Sequence, residues 1–319
     1  MKTAEIFVML PFEESHKKRL AEAAPGSRII YGTNPDEALT AEIIVGQFPP
    51  ERLKEAKNLR LLQLSFAGAD RYVVPGVLPE QVTLTNATGA YGLAISEHMV
   101  AVTLALSKKL HLYRDNMHER RWLDRGNVSS IYGSVVLTVG LGDIGGEFAK
   151  LMKGFGVYNI GVRRSRTDDK PDYVDELVGV DRLDEMLPRA DIIALAMPGG
   201  PATAGIISRE RIAMMKPTAF LINVGRGSAV DTEALCDALR SRRLAGAALD
   251  VTDPEPLPPD HRLWRMENAL ITPHVSGYYH HPATFGKIVD ICIENISNYL
   301  CGKPLRNVVD PQTGYASKN

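Results

Sequence analysis

The sequence predicts an α/β chain with two Rossmann-like, doubly wound parallel-sheet domains. Three observations carry this expectation. A glycine turn lies between an apolar strand and a helix, short apolar runs alternate regularly with helical stretches, and 319 residues exceed what one core usually organises.

The first element is a strand at Ile6–Leu10, too short for a signal core and without a cleavage site. A helix is expected from about Glu13 to Ala24, with strands at Ala41–Val45 and Leu61–Leu64. Directly after the last of these comes Ser65-Phe66-Ala67-Gly68-Ala69-Asp70. So many small residues leave backbone amides free for an anion, although a plain strand-to-helix turn would look the same. Residues 94–110 are nearly apolar all round between Met99 and Leu106, as in a helix buried between domains or subunits. Residues 113–133 carry Arg114, Arg120, Arg121 and Arg125 beside Trp122 and read as a solvated face.

From Val135 the alternation is regular. Val135–Val139 is a strand, Gly140-Leu141-Gly142-Asp143-Ile144-Gly145 a glycine turn, and Glu147–Met152 opens a helix. Strand, G-x-G-x-x-G and helix in that order are the context that dinucleotide binding requires. Gly140 permits the tight turn, Gly142 lets the backbone approach a pyrophosphate, and Gly145 lets helix and strand pack closely. Further strands are expected at 157–162, 191–197, 219–223, 246–250 and 269–272. The helices between them are marked by Gly145–Phe155, Ser208–Met215 and Asp231–Arg240, with Asp231 as an N-cap. After His274 a loop runs to Pro282, and an amphipathic helix from Ala283 to Leu300 is stopped by Gly302-Lys303-Pro304. The remaining tail is too short to be a domain. The expected division is therefore 1–93 completed by 283–319, around a nucleotide-binding domain at 94–282.

Composition narrows the function classes. A net charge of -1 shows no footprint for nucleic acid or an acidic membrane surface. No apolar run reaches membrane-spanning length. Cys236, Cys292 and Cys301 are scattered and form no C-x-x-C, as expected for reduced thiols in a cytoplasmic protein.

Several polar residues fall where strands end, the edge at which open α/β sheets bind ligands. Arg226 follows one strand, Asp250 ends the next with Glu255 shortly after, and His274 follows the last. An arginine can grip a carboxylate through a two-point fork, and a histidine beside a carboxylate has its charged form favoured, which suits a proton donor. Taken singly, each also reads as a surface or turn residue; their common placement is what favours chemistry.

These pieces together resemble the D-isomer-specific 2-hydroxyacid dehydrogenase family, in particular its glyoxylate/hydroxypyruvate reductases. The matching motifs are Phe66-Ala67-Gly68-Ala69-Asp70, Ala94-Ile95-Ser96-Glu97-His98, the glycine turn, Asn223-Val224-Gly225-Arg226-Gly227, Leu249-Asp250-Val251 running on to Glu255-Pro256, and Thr272-Pro273-His274. The resemblance implies that Arg226 binds the substrate carboxylate and carbonyl oxygen. His274 would act as general acid in reduction and base in oxidation, with Glu255 holding its ring. The amides of Ala67 and Gly68 would take the substrate carboxylate, and the substrate would lie between two α/β domains. Asp250 would orient the nicotinamide amide. Cofactor contacts are implied at Gly140, Gly142, Asp143, Ile144, Gly145, Pro198, Thr203, Asn223, Val224, Gly225 and Ser276. Members of the family pair as dimers through the nucleotide domain, so a homodimer is expected, and the apolar helix 94–110 suits that contact.

Three departures stand out. Arg163, followed by Arg164 and Ser165, occupies the position where NAD-type members carry a ribose-binding aspartate. Of the usual threonine pair after the fourth strand only Thr203 remains, with Gly200 at the first position. Beyond His274 come Tyr278, Tyr279, His280 and His281, which bear on the shape of the substrate pocket. The expectation is a cytoplasmic 2-ketoacid reductase that favours NADP(H), with NAD(H) as the alternative, and that needs no metal. Its rival is an NAD(P)(H)-sensing interaction protein on the same fold without turnover. Formate oxidation is a nearer rival, disfavoured by the acid at Glu255.

Overall fold

In the computed structural model, residues 1–164, 168–279, 281–312, 314 and 316 are described. The chain divides into two compact units, Met1–Tyr91 with Tyr279–Asn319, and Gly92–Tyr278. Both are α/β, and every strand pairing within their sheets is parallel.

The first unit contains β1 (Glu5–Val8), α1 (Glu14–Ala23), β2 (Arg28–Tyr31), β3 (Ile43–Val45), β4 (Leu61–Gln63) and β5 (Thr83–Thr85). Its sheet order is β2-β1-β3-β4-β5. The inner strands are short apolar runs because both faces are covered; Phe7, Ile44 and Leu62 are fully buried. β2 and β5 were not anticipated. Both lie at sheet edges, and β5 is three residues with two threonines, too short and polar to stand out.

The second unit runs through α2 (Gly92–Ser107), α3 (Leu110–His118), β6 (Val135–Val139), α4 (Asp143–Lys153), β7 (Tyr158–Arg163), β8 (Glu176–Gly179) and α5 (Leu183–Met186). It continues with β9 (Ile192–Leu195), α6 (Arg209–Met214), β10 (Phe220–Asn223), α7 (Thr232–Arg240), β11 (Gly246–Leu249) and β12 (Ala269–Ile271). The sheet order β12-β11-β10-β9-β6-β7-β8 reverses direction between β6 and β9, which opens a crevice at the carboxyl ends of those two strands. Asp231 caps α7 by accepting from the Ala234 amide at 2.9 Å. The edge strand β8 escaped the sequence reading because only Leu177 and Val178 in it are apolar.

One expected helix is two. Lys109 adopts a left-handed backbone (φ 57°), so the helix expected over 94–110 ends at Ser107, and α3 starts at Leu110 and runs to His118, into the stretch read as a solvated face. Nor is α2 buried all round within the chain. Ile95, Ser96, Met99, Thr103 and Leu106 are buried, whereas Ala101 is exposed. The broadly apolar sequence hid that asymmetry.

The chain closes its first unit with α8 (Pro282–Cys301), ended by Gly302 in the left-handed conformation (φ 66°). Inside this unit the Asn295 side-chain amide donates to Gln63 Oε1 at 2.6 Å, and the Thr85 hydroxyl donates to the same oxygen at 2.8 Å. Val308 bridges Thr85, so the returning segment extends beside β5. Among the described residues no helix is long and apolar enough to cross a membrane.

Candidate active site

In the second unit, the polar residues singled out from the sequence gather at the carboxyl edge of one sheet. The glycine turn follows β6, Pro198 follows β9, Arg226 follows β10, Asp250 follows β11, and His274 comes three residues after β12. Parallel pairing through β9, β10, β11 and β12 fixes the register of the loops that carry them.

The tightest contact on this edge is between His274 and Glu255, with Nδ1 and Oε1 2.6 Å apart. Both side chains are close to half exposed. With Nδ1 held by the carboxylate, Nε2 is the ring atom left to exchange a proton. His274 itself has φ 53°, a left-handed backbone that costs a non-glycine residue roughly 1–2 kcal/mol. Its amide bonds to the Asp250 carbonyl at 2.8 Å and to the Thr272 carbonyl at 3.0 Å. The Asp250 side chain secures the same loop. It is buried, and it accepts from the Thr272 hydroxyl at 2.6 Å, from the amides of Val275 and Ser276 at 3.0 Å each, and from the Ser276 hydroxyl. Four donors fill a carboxylate's lone-pair sites, so Asp250 is a clamp on residues 272–276. Because the Thr272 hydrogen goes to Asp250, His98 Nε2, 3.4 Å from the Thr272 hydroxyl, is the donor in that contact. Burial pulls the His98 imidazole below its ordinary value, with the Asp250 charge opposing in part.

Arg226 is partly buried. Its Nη1 donates to the Gly225 carbonyl at 2.8 Å, and the Asn223 side chain staples the loop, donating to the Arg226 carbonyl at 2.9 Å and accepting from the Gly225 amide at 3.0 Å. Val224 between them is buried. The Thr203 hydroxyl donates to the Pro198 carbonyl at 2.9 Å, closing the loop after β9.

The glycine turn has the shape expected of a phosphate cradle. Gly140 takes φ 96°, and a Cβ on Gly145 would lie 1.9 Å from the Gly140 carbonyl oxygen, so neither tolerates a side chain. Around Gly142 nothing lies within 4 Å of where a Cβ would stand. Gly142 is also the N-cap of α4 and offers no side chain to its first amides. A helix start left bare in this way, with backbone open to approach, fits the pyrophosphate of a dinucleotide. Asp143 is turned to another use, accepting from the Gly92 amide at 2.8 Å at the start of α2. Ile144 is partly buried in the first turn.

Arg163 is the last residue of β7, is partly buried and donates from Nη1 to the Asp169 carbonyl at 2.9 Å. Arg164 beside it is exposed. Ser165, expected as the third member of this group, lies outside the described residues.

The first unit holds the turn Ser65–Asp70, directly after β4. Its first three carbonyls are occupied. Ser65 accepts from the Tyr91 hydroxyl, Phe66 from the Ala87 amide at 3.1 Å, and Ala67 from the Asn86 side chain at 2.7 Å. Asn86 and Tyr91 escaped the sequence reading, because a side chain that bonds a distant carbonyl leaves no spacing to recognise.

A bare glycine-rich helix start in a doubly wound sheet, with a histidine–carboxylate pair and an arginine on the same edge, defines the dinucleotide-dependent oxidoreductase class. Residues 100–276 match the family model described as D-isomer specific 2-hydroxyacid dehydrogenase, NAD binding domain. The chain is 31% identical over 239 residues to a glyoxylate reductase of Thermofilum pendens, covering 73% of this chain and 70% of that protein. A solved D-isomer specific 2-hydroxyacid dehydrogenase family protein from Aeromonas salmonicida shares 31% identity with a TM-score of 0.84, over 96% of this chain and 99% of the other. The NADPH-dependent glyoxylate/hydroxypyruvate reductase of Sinorhizobium meliloti, solved with NADP and sulfate, shares 26% identity with a TM-score of 0.83, over 98% and 100%. This chain belongs to the D-isomer specific 2-hydroxyacid dehydrogenases, NAD(P)-dependent oxidoreductases that act on the hydroxyl or keto group of 2-hydroxyacids and their keto counterparts.

Proposed function

We propose that the protein reduces a small 2-ketoacid, glyoxylate or hydroxypyruvate, and prefers NADPH to NADH. The observation that carries the reading is the His274–Glu255 contact at 2.6 Å, on the sheet edge that also bears Arg226 and the glycine turn. A protein that only sensed nucleotide would need no oriented proton donor. Arg226 grips the substrate carboxylate and polarises the carbonyl oxygen through its fork. His274 gives its Nε2 proton to that oxygen as the C=O π pair moves onto it, and Glu255 steadies the imidazolium beforehand. The bound dinucleotide supplies the hydride that C2 accepts. In oxidation the same groups run backwards, with neutral His274 taking the hydroxyl proton. The amides of Ala67 and Gly68 take the other end of the substrate carboxylate.

Amides of the glycine turn and of the first residues of α4, including Asp143, Ile144 and Gly145, hold the pyrophosphate. The loops bearing Pro198, Thr203, Asn223, Val224, Gly225, Asp250 and Ser276 complete the cofactor site. Arg163 and Arg164 favour a 2′-phosphate: a carboxylate there would repel it, whereas guanidinium groups bond to it directly. One charge-assisted contact, about 1.5–3 kcal/mol, corresponds to roughly ten- to a hundredfold in affinity. The glyoxylate reductase relative and the reductase solved with NADP support both the substrate class and the cofactor.

The working form is a cytoplasmic homodimer, supported by the exposed apolar side chains of Leu110, Met117, Trp122 and Leu123 beyond α2. Initial rates with a panel of 2-ketoacids and both reduced cofactors test the whole reading. Glyoxylate or hydroxypyruvate should give the highest kcat/KM, with NADPH favoured at least tenfold. Cofactor binding without turnover of any ketoacid would leave the sensing protein instead. Equal or better use of NADH would return the two arginines to the surface.

A further inference from the structure

We infer that Asn86 and Tyr91 are positioning residues that aim the carboxylate-binding amides of the turn after β4, and that the Phe66 amide joins those of Ala67 and Gly68. The inference rests on the assignment of this turn to the substrate carboxylate.

Peptide geometry sets the direction of each amide. A trans peptide is planar, and its C=O and N–H point in opposite directions. Among the described residues, the cis peptide bonds are Asp253-Pro254 and Glu255-Pro256, so the turn is trans throughout. Whatever holds one carbonyl therefore aims the next residue's amide the opposite way. The Tyr91 hydroxyl on the Ser65 carbonyl aims Phe66 N–H. The Ala87 amide on the Phe66 carbonyl, at 3.1 Å, aims Ala67 N–H. The Asn86 side chain on the Ala67 carbonyl, at 2.7 Å, aims Gly68 N–H. Three successive carbonyls are thus each held by a group from the segment 86–91. Among the described residues, the three amides that follow them have no hydrogen-bond partner in the protein. Consecutive amides facing one way make an anion-binding concavity.

The clamp itself is rigid. Asn86 and Tyr91 are both buried. Asn86 Oδ1 accepts from the Thr88 amide at 3.2 Å, and Asn307 donates to the Asn86 carbonyl at 3.1 Å and to the Thr88 carbonyl at 2.7 Å. Neither clamp side chain can turn away without stranding a buried polar group. Donors fixed before the ligand arrives need no reordering when it binds, which is how preorganised sites gain affinity.

The test compares unmodified protein with Asn86→Asp and Tyr91→Phe, using glyoxylate and NADPH. Asn86→Asp keeps the shape and the Thr88 contact but sets a carboxylate oxygen against the Ala67 carbonyl. Tyr91→Phe keeps the buried ring and loses only the hydroxyl. We expect KM for glyoxylate to rise about tenfold in Asn86→Asp and about threefold in Tyr91→Phe, the net worth of one hydrogen bond in each case. The NADPH dissociation constant should be unchanged and kcat altered less than KM. A merely structural role would lower the folded fraction, and with it apparent kcat, while leaving KM alone; that result overturns the clamp. Should Asn86→Asp fail to fold, Tyr91→Phe decides the matter by itself. Unmodified protein inert toward every 2-ketoacid overturns the functional reading and the clamp with it. Active protein whose variants keep the original KM overturns the clamp alone.

Discussion

The two regions on which the proposed function draws, the turn after β4 and the carboxyl edge of the larger sheet, are built from opposite materials. On the larger sheet the proposed working groups are side chains: a guanidinium, an imidazole and a carboxylate, with His274 and Glu255 close to half exposed. In the turn the proposed working groups are backbone amides, and the side chains inferred to aim them, Asn86 and Tyr91, are buried. Side chains bring charge and an exchangeable proton, which the chemical step requires. Amides bring fixed direction without a charge to desolvate, which suits holding an anion. Damage to the first kind of site should therefore appear in the chemical step, and damage to the second in substrate affinity.

That contrast can be broken most sharply at His274. Replacing it with alanine should cost roughly 10²–10⁴-fold in kcat while leaving NADPH affinity nearly intact. Wild-type rates in that variant would remove His274 from the mechanism. Arg226→Lys keeps the charge and loses the fork, so kcat/KM for the ketoacid should fall by roughly ten- to a hundredfold. Identical kinetics for lysine would mean that no carboxylate is gripped there. At the cofactor end, Arg163→Asp should erase or reverse an NADPH preference of at least about tenfold. Titrations of both reduced cofactors, followed by fluorescence, read this directly, and an unchanged ratio would dismiss Arg163 as a determinant.

The smallest effect concerns His98. Burial depresses its imidazole, so the folded protein favours the neutral ring. A depressed group contributes stability that is complete above its ordinary value of 6.5 and is lost as the pH falls through the lower, folded value. Urea midpoints between neutral pH and about pH 5 should therefore drop further in the unmodified protein than in His98→Gln. Parallel profiles would show that His98 titrates as it does in the unfolded chain.

Much of the larger unit was legible in its sequence, because a parallel sheet covered on both faces needs uninterrupted apolar strands. Val135–Val139 stands where it was expected, and the neighbouring strands fall within a residue or two of theirs. The edge strands β2, β5 and β8 were not legible; with a full strand partner on one side only, they tolerate residues such as Arg28, Thr83 and Glu176. Lys109 breaks the helix through one left-handed residue, to which an apolar pattern is blind. The same division runs through the site. Arg226, Glu255 and His274 stand out in the sequence as candidates because the chemistry proposed for them lies in their side chains. The turn holding Ala67 and Gly68 shows only as a run of small residues that a plain turn would share, and resemblance alone assigns those two amides to a carboxylate, since an amide is common to every residue but proline. Asn86 and Tyr91 left no trace at all, because their partners are carbonyls 19 and 26 residues away.

The long return of the chain also sets the order in which its parts can mature. Asn295 and Gln63 are 232 positions apart, and their bond inside the first unit closes only when the last helix has left the ribosome. The unit at Gly92–Tyr278 is continuous and holds all its strands before that moment. Synthesis thus completes the dinucleotide-binding half first. The other unit must wait, its β4 and β5 lacking their later partners, until α8 and the segment after it arrive.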